Sequence, residues 1–429
     1  MKVTRFDWDG SDAELIASEI RDLVPPLEEV TEAVRAIVRE VRERGDEAVL
    51  ELTARHDATE KPPESVRVDP EEVERAGAEL DPELRTALAL AARYIRIVAE
   101  AELQHESETV ELPQGQTVLV RTVPVRAAGV YAPGGRAVYP SSVLMCCVPA
   151  RVAGVDRVAV ASPPGPDGKL SPVVLGACAV AEADEVYAMG GAQAIAAFAL
   201  GTESVPRVDV VAGPGSRYVQ EAKVQLGAEV GTDQIAGPTE LVVCFDREEE
   251  LEWVALDLCA QAEHGDDGLL AAIAPRAELI EKLYERVEAI ADERPSVHDA
   301  PLALVTAPDT RTSASLAEAL APEHLELMTV DASMLAPWIG SAGAIFVGPH
   351  GGAAFGDYAA GSSHVLPTGG AARFAGPLGP DTFRCRTALV HLDEQSAAAL
   401  APHVDAIARA EGFPLHGESA RARASDDND

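Results

Sequence analysis

The chain has 429 residues and a mass of 45.0 kDa, room for two to four domains at roughly 100–200 residues each, and its 47% apolar content excludes a disordered or fibrous protein. Its 35 basic and 71 acidic side chains leave a formal net charge of −36. A surface that negative excludes a general binder of nucleic acid or of anionic membranes, because the polyanion is repelled.

Helical patterns open the chain. Residues 11–23 and 28–55 carry Glu, Ala, Val and Arg at helical spacing, and residues 81–106 read as one long helix. A β-rich stretch, TVLVRTVPVRAAGVYAP, follows and closes at Tyr131. From about 132 to 235, β-type runs alternate with helices. RVAVAS precedes a helix near 171–182, VYAM one near 192–200, and VDVVAG one near 216–228. From about 240 to 350 the alternation resumes through ELVVCF, LLAAIA, ALVT, HLELMTV and AIFVG, each separated by a helix. Such alternation implies βαβ units and parallel sheets. The expected fold is α/β: two Rossmann-like parallel-sheet modules, an N-terminal helical arm and a small C-terminal domain. The expected boundaries are 1–23 for the arm, 24–131 together with 237–375 for a first α/β domain, 132–236 for a second, and 376–429 for the C-terminal segment. The final stretch, GESARARASDDND, is expected to fray.

The uncharged stretch Val186 to Thr202 contains Gly190, Gly191 and Gln193, and reads as strand, turn and helix inside a globular core rather than a membrane span. Six cysteines form no C-x-x-C pair, and most sit in apolar runs such as VLMCCVPA. They are expected to be buried, reduced thiols in a cytoplasmic protein. The start, MKVTRFDWDG, lacks the apolar core of a signal peptide. Asp and Glu are spread along the whole chain, which fits an acidic, halophilic type of surface better than an acidic interaction tail.

In open parallel sheets, ligands bind beyond the carboxyl ends of strands, so the loops after strands are the place to look. No G-x-G-x-x-G is present. Three short Gly-rich turns follow strands instead: Tyr131-Ala-Pro-Gly-Gly135, Gly190-Gly191-Ala192-Gln193 and Gly213-Pro214-Gly215-Ser216. Each can aim backbone N–H groups at an anion, and each can equally be a plain turn. Gln261 and His264 stand at i, i+3 near the end of a predicted helix and so share a face, as a metal pair or as a polar last turn. Glu323 and His324 precede a strand, where an acid beside an imidazole suits acid–base work, or forms a solvated loop pair. Asp357, in Gly356-Asp357-Tyr358, is a potential ligand carboxylate or a turn cap, and Glu411 and His416 close the chain's polar candidates. Nitrogen and oxygen donors without thiolate fit a reactive Zn, Mn or Co site better than a structural zinc.

Five motifs in one order carry a resemblance: GVYAPGGRAVYPSSVLMCCVPA, MGGAQAIAAFALGTESVPRVDVVAGPGSRYV, DQIAGPTELVVCFDREEELEWVALDLCAQAEHG, APEHLEL and GDYAAGSSHVLPT. Together they closely resemble the histidinol dehydrogenases. That resemblance implies oxidation of L-histidinol to L-histidine through an aldehyde, with two hydride transfers to NAD, one Zn2+ per subunit and a homodimer with shared active sites. It implies metal ligation by Gln261, His264, Asp357 and His416, with His416 reaching in from the partner subunit. It implies catalysis by Glu323 and His324, and substrate contact by Thr239, by the four ligands, by His324 and by Glu411. It implies dinucleotide contact by Tyr131, Gln193 and Ser216. The first α/β domain would then be catalytic, the second NAD-contacting, and the C-terminal segment dimer-exchanging. Two departures stand out. Ser216 replaces the family's Asn after Gly-Pro-Gly, losing the amide's reach and second donor. Gly351-Gly352-Ala353 replaces Ser/Thr-Pro-Glu before GDY, removing a stiffener at a helix start.

The implied chemistry uses His324 as the base for the alcohol proton and Glu323 to activate the water that hydrates the aldehyde. A thiohemiacetal on cysteine is not expected, because no cysteine neighbours Glu323 and His324 in sequence. The rival reading from the same residues is a zinc hydrolase in which Glu323 and His324 activate water with no redox step.

Overall fold

The structure, a computed structural model of the chain, describes residues 1–24, 30–57, 60–61, 63–103, 107–134, 137–233 and 236–424. Gly135 and His105 therefore lie outside the described residues, as do positions 28–29 and 104–106 of the predicted helices. The chain divides into two compact units, Met1–Glu102 with Val125–Phe383, and Leu103–Pro124 with Arg384–Asp429.

The larger unit opens with β1 (Lys2–Asp7), α1 (Ala13–Arg21), α2 (Thr31–Arg44), α3 (Asp46–His56), α4 (Pro70–Glu79) and α5 (Pro82–Glu102). The predicted helix over 28–55 is two helices, because Gly45, at φ +54, breaks the run. The smaller unit takes β2 (Ser107–Glu111) and β3 (Thr117–Pro124). The first sheet of the larger unit then follows: β4 (Ala127–Tyr131), α6 (Pro140–Ala153), β5 (Arg157–Ser162), α7 (Pro172–Val180), β6 (Glu185–Ala188), α8 (Gly191–Leu200), β7 (Val210–Ala212), α9 (Arg217–Leu226) and β8 (Gly231–Thr232). Its strands are all parallel, in the order β6-β5-β4-β7-β8. Side chains alternate across it. Val158 and Val160 join the core under α6 and α7, while Ala159 and Ala161 join the core under α2, α3 and α8. Covering by helices on both faces explains why these strands read as continuous apolar runs.

The second sheet comprises β9 (Glu240–Phe245), α10 (Leu251–Ala262), β10 (Leu269–Ala274), α11 (Ala277–Glu293), β11 (Pro301–Thr306), α12 (Thr310–Leu320), β12 (His324–Met328), α13 (Ala332–Leu335), β13 (Ala344–Val347) and α14 (Ala353–Tyr358). Its order is β1-β11-β10-β9-β12-β13, again parallel throughout. The two-module α/β fold is thus present, but the chain start is not a purely helical arm. Lys2–Asp7 pairs with Pro301–Thr306 as an edge strand, a partner about 300 residues away that local pattern cannot reveal. Helix α1 packs its Ala17 and Ile20 into the same core as Leu316 and Leu320 of α12.

The smaller unit holds an antiparallel sheet β14-β3-β2, with β14 (Arg384–His391), followed by α15 (Glu394–Glu411) and α16 (Pro414–Ala422). Residues 107–124, placed with the first α/β domain by the sequence pattern, belong here, because β3 pairs with β14 along its whole length. The tail expected to fray is helical to Ala422. Among the described residues no helix is long and apolar enough to cross a membrane.

Candidate active site

The two sheets of the larger unit share a cavity of ≈ 340 Å³. The first sheet offers the carboxyl ends of its strands: Pro133 and Gly134 follow β4, and Pro214, Gly215 and Ser216 follow β7. These neighbouring strands flank the point where the strand order reverses, the expected ligand crevice of such a sheet. The second sheet offers its amino ends, which the rule about carboxyl ends passes over. Thr239 directly precedes β9, Glu323 precedes β12, and Gln261 and His264 come where α10 has returned to the starting edge. Asp357, on α14, and His364 complete this wall.

Glu323 and His324 are both buried. The Glu323 Oε2 atom accepts from the Thr239 hydroxyl at 2.7 Å and from the Glu240 N–H at 2.8 Å. Gln261 Nε2 donates in turn to the Thr239 hydroxyl. With Oε2 so engaged, Oε1 is the oxygen left to address a water. The His324 Nδ1 lies 3.0 Å from the Glu240 carbonyl, which can only accept, so Nδ1 donates there and Nε2 is the nitrogen that exchanges its proton with the cavity. That Nε2 stands 3.4 Å from Asp357 Oδ1. Burial alone disfavours the imidazolium, but the Glu323 charge and the hydrogen bond to Asp357 outweigh it, holding His324 well above the ordinary imidazole value. Burial likewise works to raise Asp357, and the His324 contact overrides it, so the carboxyl sits below its usual range.

Gln261, His264 and Asp357 line one cavity, so three of the four proposed ligands come together. They present an amide oxygen, an imidazole and a carboxylate, a thiolate-free set suited to a borderline divalent cation. The Gln261 amide nitrogen is turned to Thr239, so of the two amide atoms the oxygen is the one that could meet a cation. His264 stacks on Tyr139 with ring centroids 6.2 Å apart. Among the described residues no group of three or more His, Cys, Asp or Glu side chains is placed to hold a metal ion. Glu411 ends α15 and His416 lies in α16, both exposed, in the smaller unit.

Of the proposed dinucleotide contacts, Ser216 lines the cavity; Tyr131 and Gln193 do not. Both are buried near the start of α8, where the hydroxyl of Tyr131, the last residue of β4, accepts from Gly191 N–H at 3.0 Å and Gln193 Nε2, within α8, donates to Asp57 at 3.3 Å. No cysteine lines the cavity. Cys146, Cys147, Cys178, Cys244 and Cys259 are buried free thiols, and burial pushes all five up in pKa.

Four supporting residues have no signature in the sequence. Buried Lys223 donates to the Gly213 carbonyl and to Asp233, each at 2.5 Å, while Asp233 accepts from the Gly213 N–H at 2.7 Å. This clasp fixes Gly213, at φ +123, so near Tyr131 that a Cβ would lie 2.1 Å from its carbonyl oxygen. The only cue in the sequence is a rare lysine inside a helix. Glu326, fully buried, accepts from the Ala353 N–H at 2.7 Å and so caps α14, whose N-cap Gly352 has no side chain to do so. Burial, then the neighbouring Asp257 carboxylate, push Glu326 up to about 8. The stiffener missing from Gly351-Gly352-Ala353 is thus replaced from an adjacent strand. Glu240 is the fourth, bound to Arg21 by a fork of bonds at 2.9 and 3.3 Å.

Known proteins resemble this chain over most of its length. The sequence profile of the histidinol dehydrogenase family matches residues 25–424. The histidinol dehydrogenase of Zymomonas mobilis is 41% identical over 404 residues, covering 92% of this chain and 93% of its own. That of Parasynechococcus marenigrum is 41% identical over 426 residues, covering 98% and 97%. The crystal structure of histidinol dehydrogenase from Elizabethkingia anophelis superposes with a TM-score of 0.87 at 27% identity, covering 99% of this chain and 98% of that one. Motifs, fold and relatives converge: this chain belongs to the histidinol dehydrogenase family of oxidoreductases in histidine biosynthesis.

Proposed function

We infer that the chain oxidises L-histidinol to L-histidine through L-histidinal, reducing two NAD molecules per turnover, with one Zn2+ held by Gln261, His264, Asp357 and the partner subunit's His416. The observation carrying this is the buried Glu323–His324 pair, its Nδ1 anchored on Glu240 and its Nε2 on the same cavity as three nitrogen and oxygen donors. When bound, the cation would hold the imidazole and amine nitrogens of the substrate, a template role.

The remaining chemistry belongs to the chain. His324 Nε2 takes the proton of the alcohol as hydride passes to the first NAD. Glu323, tethered through Oε2, uses Oε1 to orient the water that adds to the aldehyde. His324 acts again as base when the hydrate gives up its hydride to the second NAD. Thr239 links Gln261 to Glu323 by hydrogen bonds, so substrate placement and water placement share one network. Ser216, Tyr131 and Gln193 would address the dinucleotide. Glu411, from a second copy in a cytoplasmic homodimer, would contact substrate and help exclude water while the aldehyde is bound.

The test is NADH formation, followed by near-ultraviolet absorbance, with L-histidinol and NAD. It is run on enzyme as isolated, stripped by chelation, and restored with zinc or manganese. The inference expects NADH, its loss on stripping and its return with metal. A His324→Asn variant is expected to lose at least about a thousandfold in kcat. Full activity in that variant would sink the base assignment. Histidinol that yields no NADH would favour the hydrolase reading.

A further inference from the structure

We propose that Arg21, acting through Glu240, positions the Glu323–His324 pair, so that helix α1 is part of the active-site machinery. The proposal rests on the roles given above to Glu323 and His324.

Glu240, the first residue of β9, is buried and addresses the pair through main chain and side chain alike. Its N–H donates to Glu323 Oε2 at 2.8 Å, and its carbonyl accepts from His324 Nδ1 at 3.0 Å. Its carboxylate Oε2 accepts from the Glu323 N–H at 3.3 Å, and Oε1 accepts from the Gly369 N–H at 2.8 Å. Strands β9 and β12 run side by side, with His324 opposite Leu241, so a shift of the β9 start carries both catalytic side chains with it.

Two buried carboxylates, Glu240 and Glu323, stand together here, and a buried charge needs a partner close at hand. Arg21 supplies it. Its Nη1 donates to Glu240 Oε1 at 2.9 Å and its Nη2 to Oε2 at 3.3 Å. The same guanidinium donates through Nε to the Leu320 carbonyl at 3.0 Å and through Nη2 to the Ala321 carbonyl at 3.3 Å. Ala321 holds a left-handed conformation, φ +47, at the end of α12, two residues before Glu323. One planar cation therefore ties the segment leading into Glu323 to the strand start that binds both catalytic side chains. A lysine ammonium carries the charge but lacks the fork that spans carboxylate and carbonyl together. Without the fork the pair drifts, and a misplacement of about 1 Å is enough to cost on the order of a hundredfold in rate.

The experiment uses the full-length, metal-replete enzyme and compares Arg21→Lys, Arg21→Ala and His324→Asn. Arg21→Lys is expected to keep the wild-type thermal midpoint within a few degrees. Its kcat should fall roughly ten- to a hundredfold while KM for histidinol moves less than about threefold. Millimolar guanidinium is expected to raise the kcat of Arg21→Ala severalfold and leave wild type unchanged. Turnover of both variants within twofold of wild type would overturn the proposal. So would a loss that only follows the folded fraction and ignores guanidinium. Should Arg21→Ala fail to fold, Arg21→Lys decides alone. The His324→Asn control separates the two readings: if it stays active, the catalytic pair itself is misassigned, whatever Arg21 does.

Discussion

Lys223→Met probes the clasp that holds the turn from Gly213 to Ser216 on the cavity wall. Methionine keeps the length and apolar stem of lysine but leaves the buried Asp233 carboxylate without its cation. Deleting one partner of a buried pair costs about 3–5 kcal/mol. The two bonds lost, to Gly213 and Asp233 at 2.5 Å each, give the same range at about 1.5–3 kcal/mol apiece. With about 2.1 cal/mol/K of unfolding entropy per residue over 429 residues, the thermal midpoint should fall about 3–6 °C. Burial already raises the Asp233 pKa against the pull of Lys223, and removing Lys223 raises it further. A carboxyl whose folded-state value exceeds its unfolded value binds a proton on folding. It therefore loses stability as pH climbs from the unfolded value to the folded one. The variant should thus lie nearest wild type in acid and furthest from it in base, and adding Asp233→Asn should recover most of the loss at high pH. Thermal unfolding near about pH 5 and about pH 8, with KM for NAD measured alongside, reads all of this. A variant as stable as wild type at the higher pH, or a penalty that grows toward acid, would refute the reasoning.

Gly213→Ala should abolish folding of the cavity wall, since its Cβ meets the Tyr131 carbonyl oxygen at 2.1 Å; Gly412→Ala, at φ +80 with nothing within 4 Å, should cost only about 1–2 kcal/mol. Circular dichroism of the pair compares clash with backbone strain alone, and equal effects would contradict the close approach. Alkylation of the native enzyme should mark a single thiol, the exposed Cys385, and leave turnover within twofold; inactivation that tracks one modified cysteine would restore a covalent thiohemiacetal route. Burial pushes Asp57 up to about 6, so its carboxylate weighs against the fold as pH rises through that range. Asp57→Asn should therefore raise the thermal midpoint at neutral pH and not near about pH 4, and the reverse pattern would show that burial is not the cause.

Both parallel sheets were legible in the sequence because their strands are buried on both faces and their helices are long. RVAVAS, ELVVCF and LLAAIA fall on β5, β9 and β10. The motif positions were legible too: Thr239, Gln261, His264, Glu323, His324, Asp357 and Ser216 converge on one cavity, though they span more than a hundred residues. What local pattern could not show was pairing at a distance. Lys2–Asp7 needs Pro301–Thr306 to become a strand, and β3 needs β14. Nor could it show which ends of the second sheet face the ligand, because chain direction relative to a cavity is set by how two modules pack. The supports were hidden for the same reason. Arg21 is one arginine among many until folding sets it against Glu240, and Glu326 is an acid in a strand until it meets the bare N-terminus of α14. Residue type and motif order determined the family to which the chain belongs. Tertiary structure alone decided which buried charges are answered, since a charge's partner is chosen by distance in space and not along the chain.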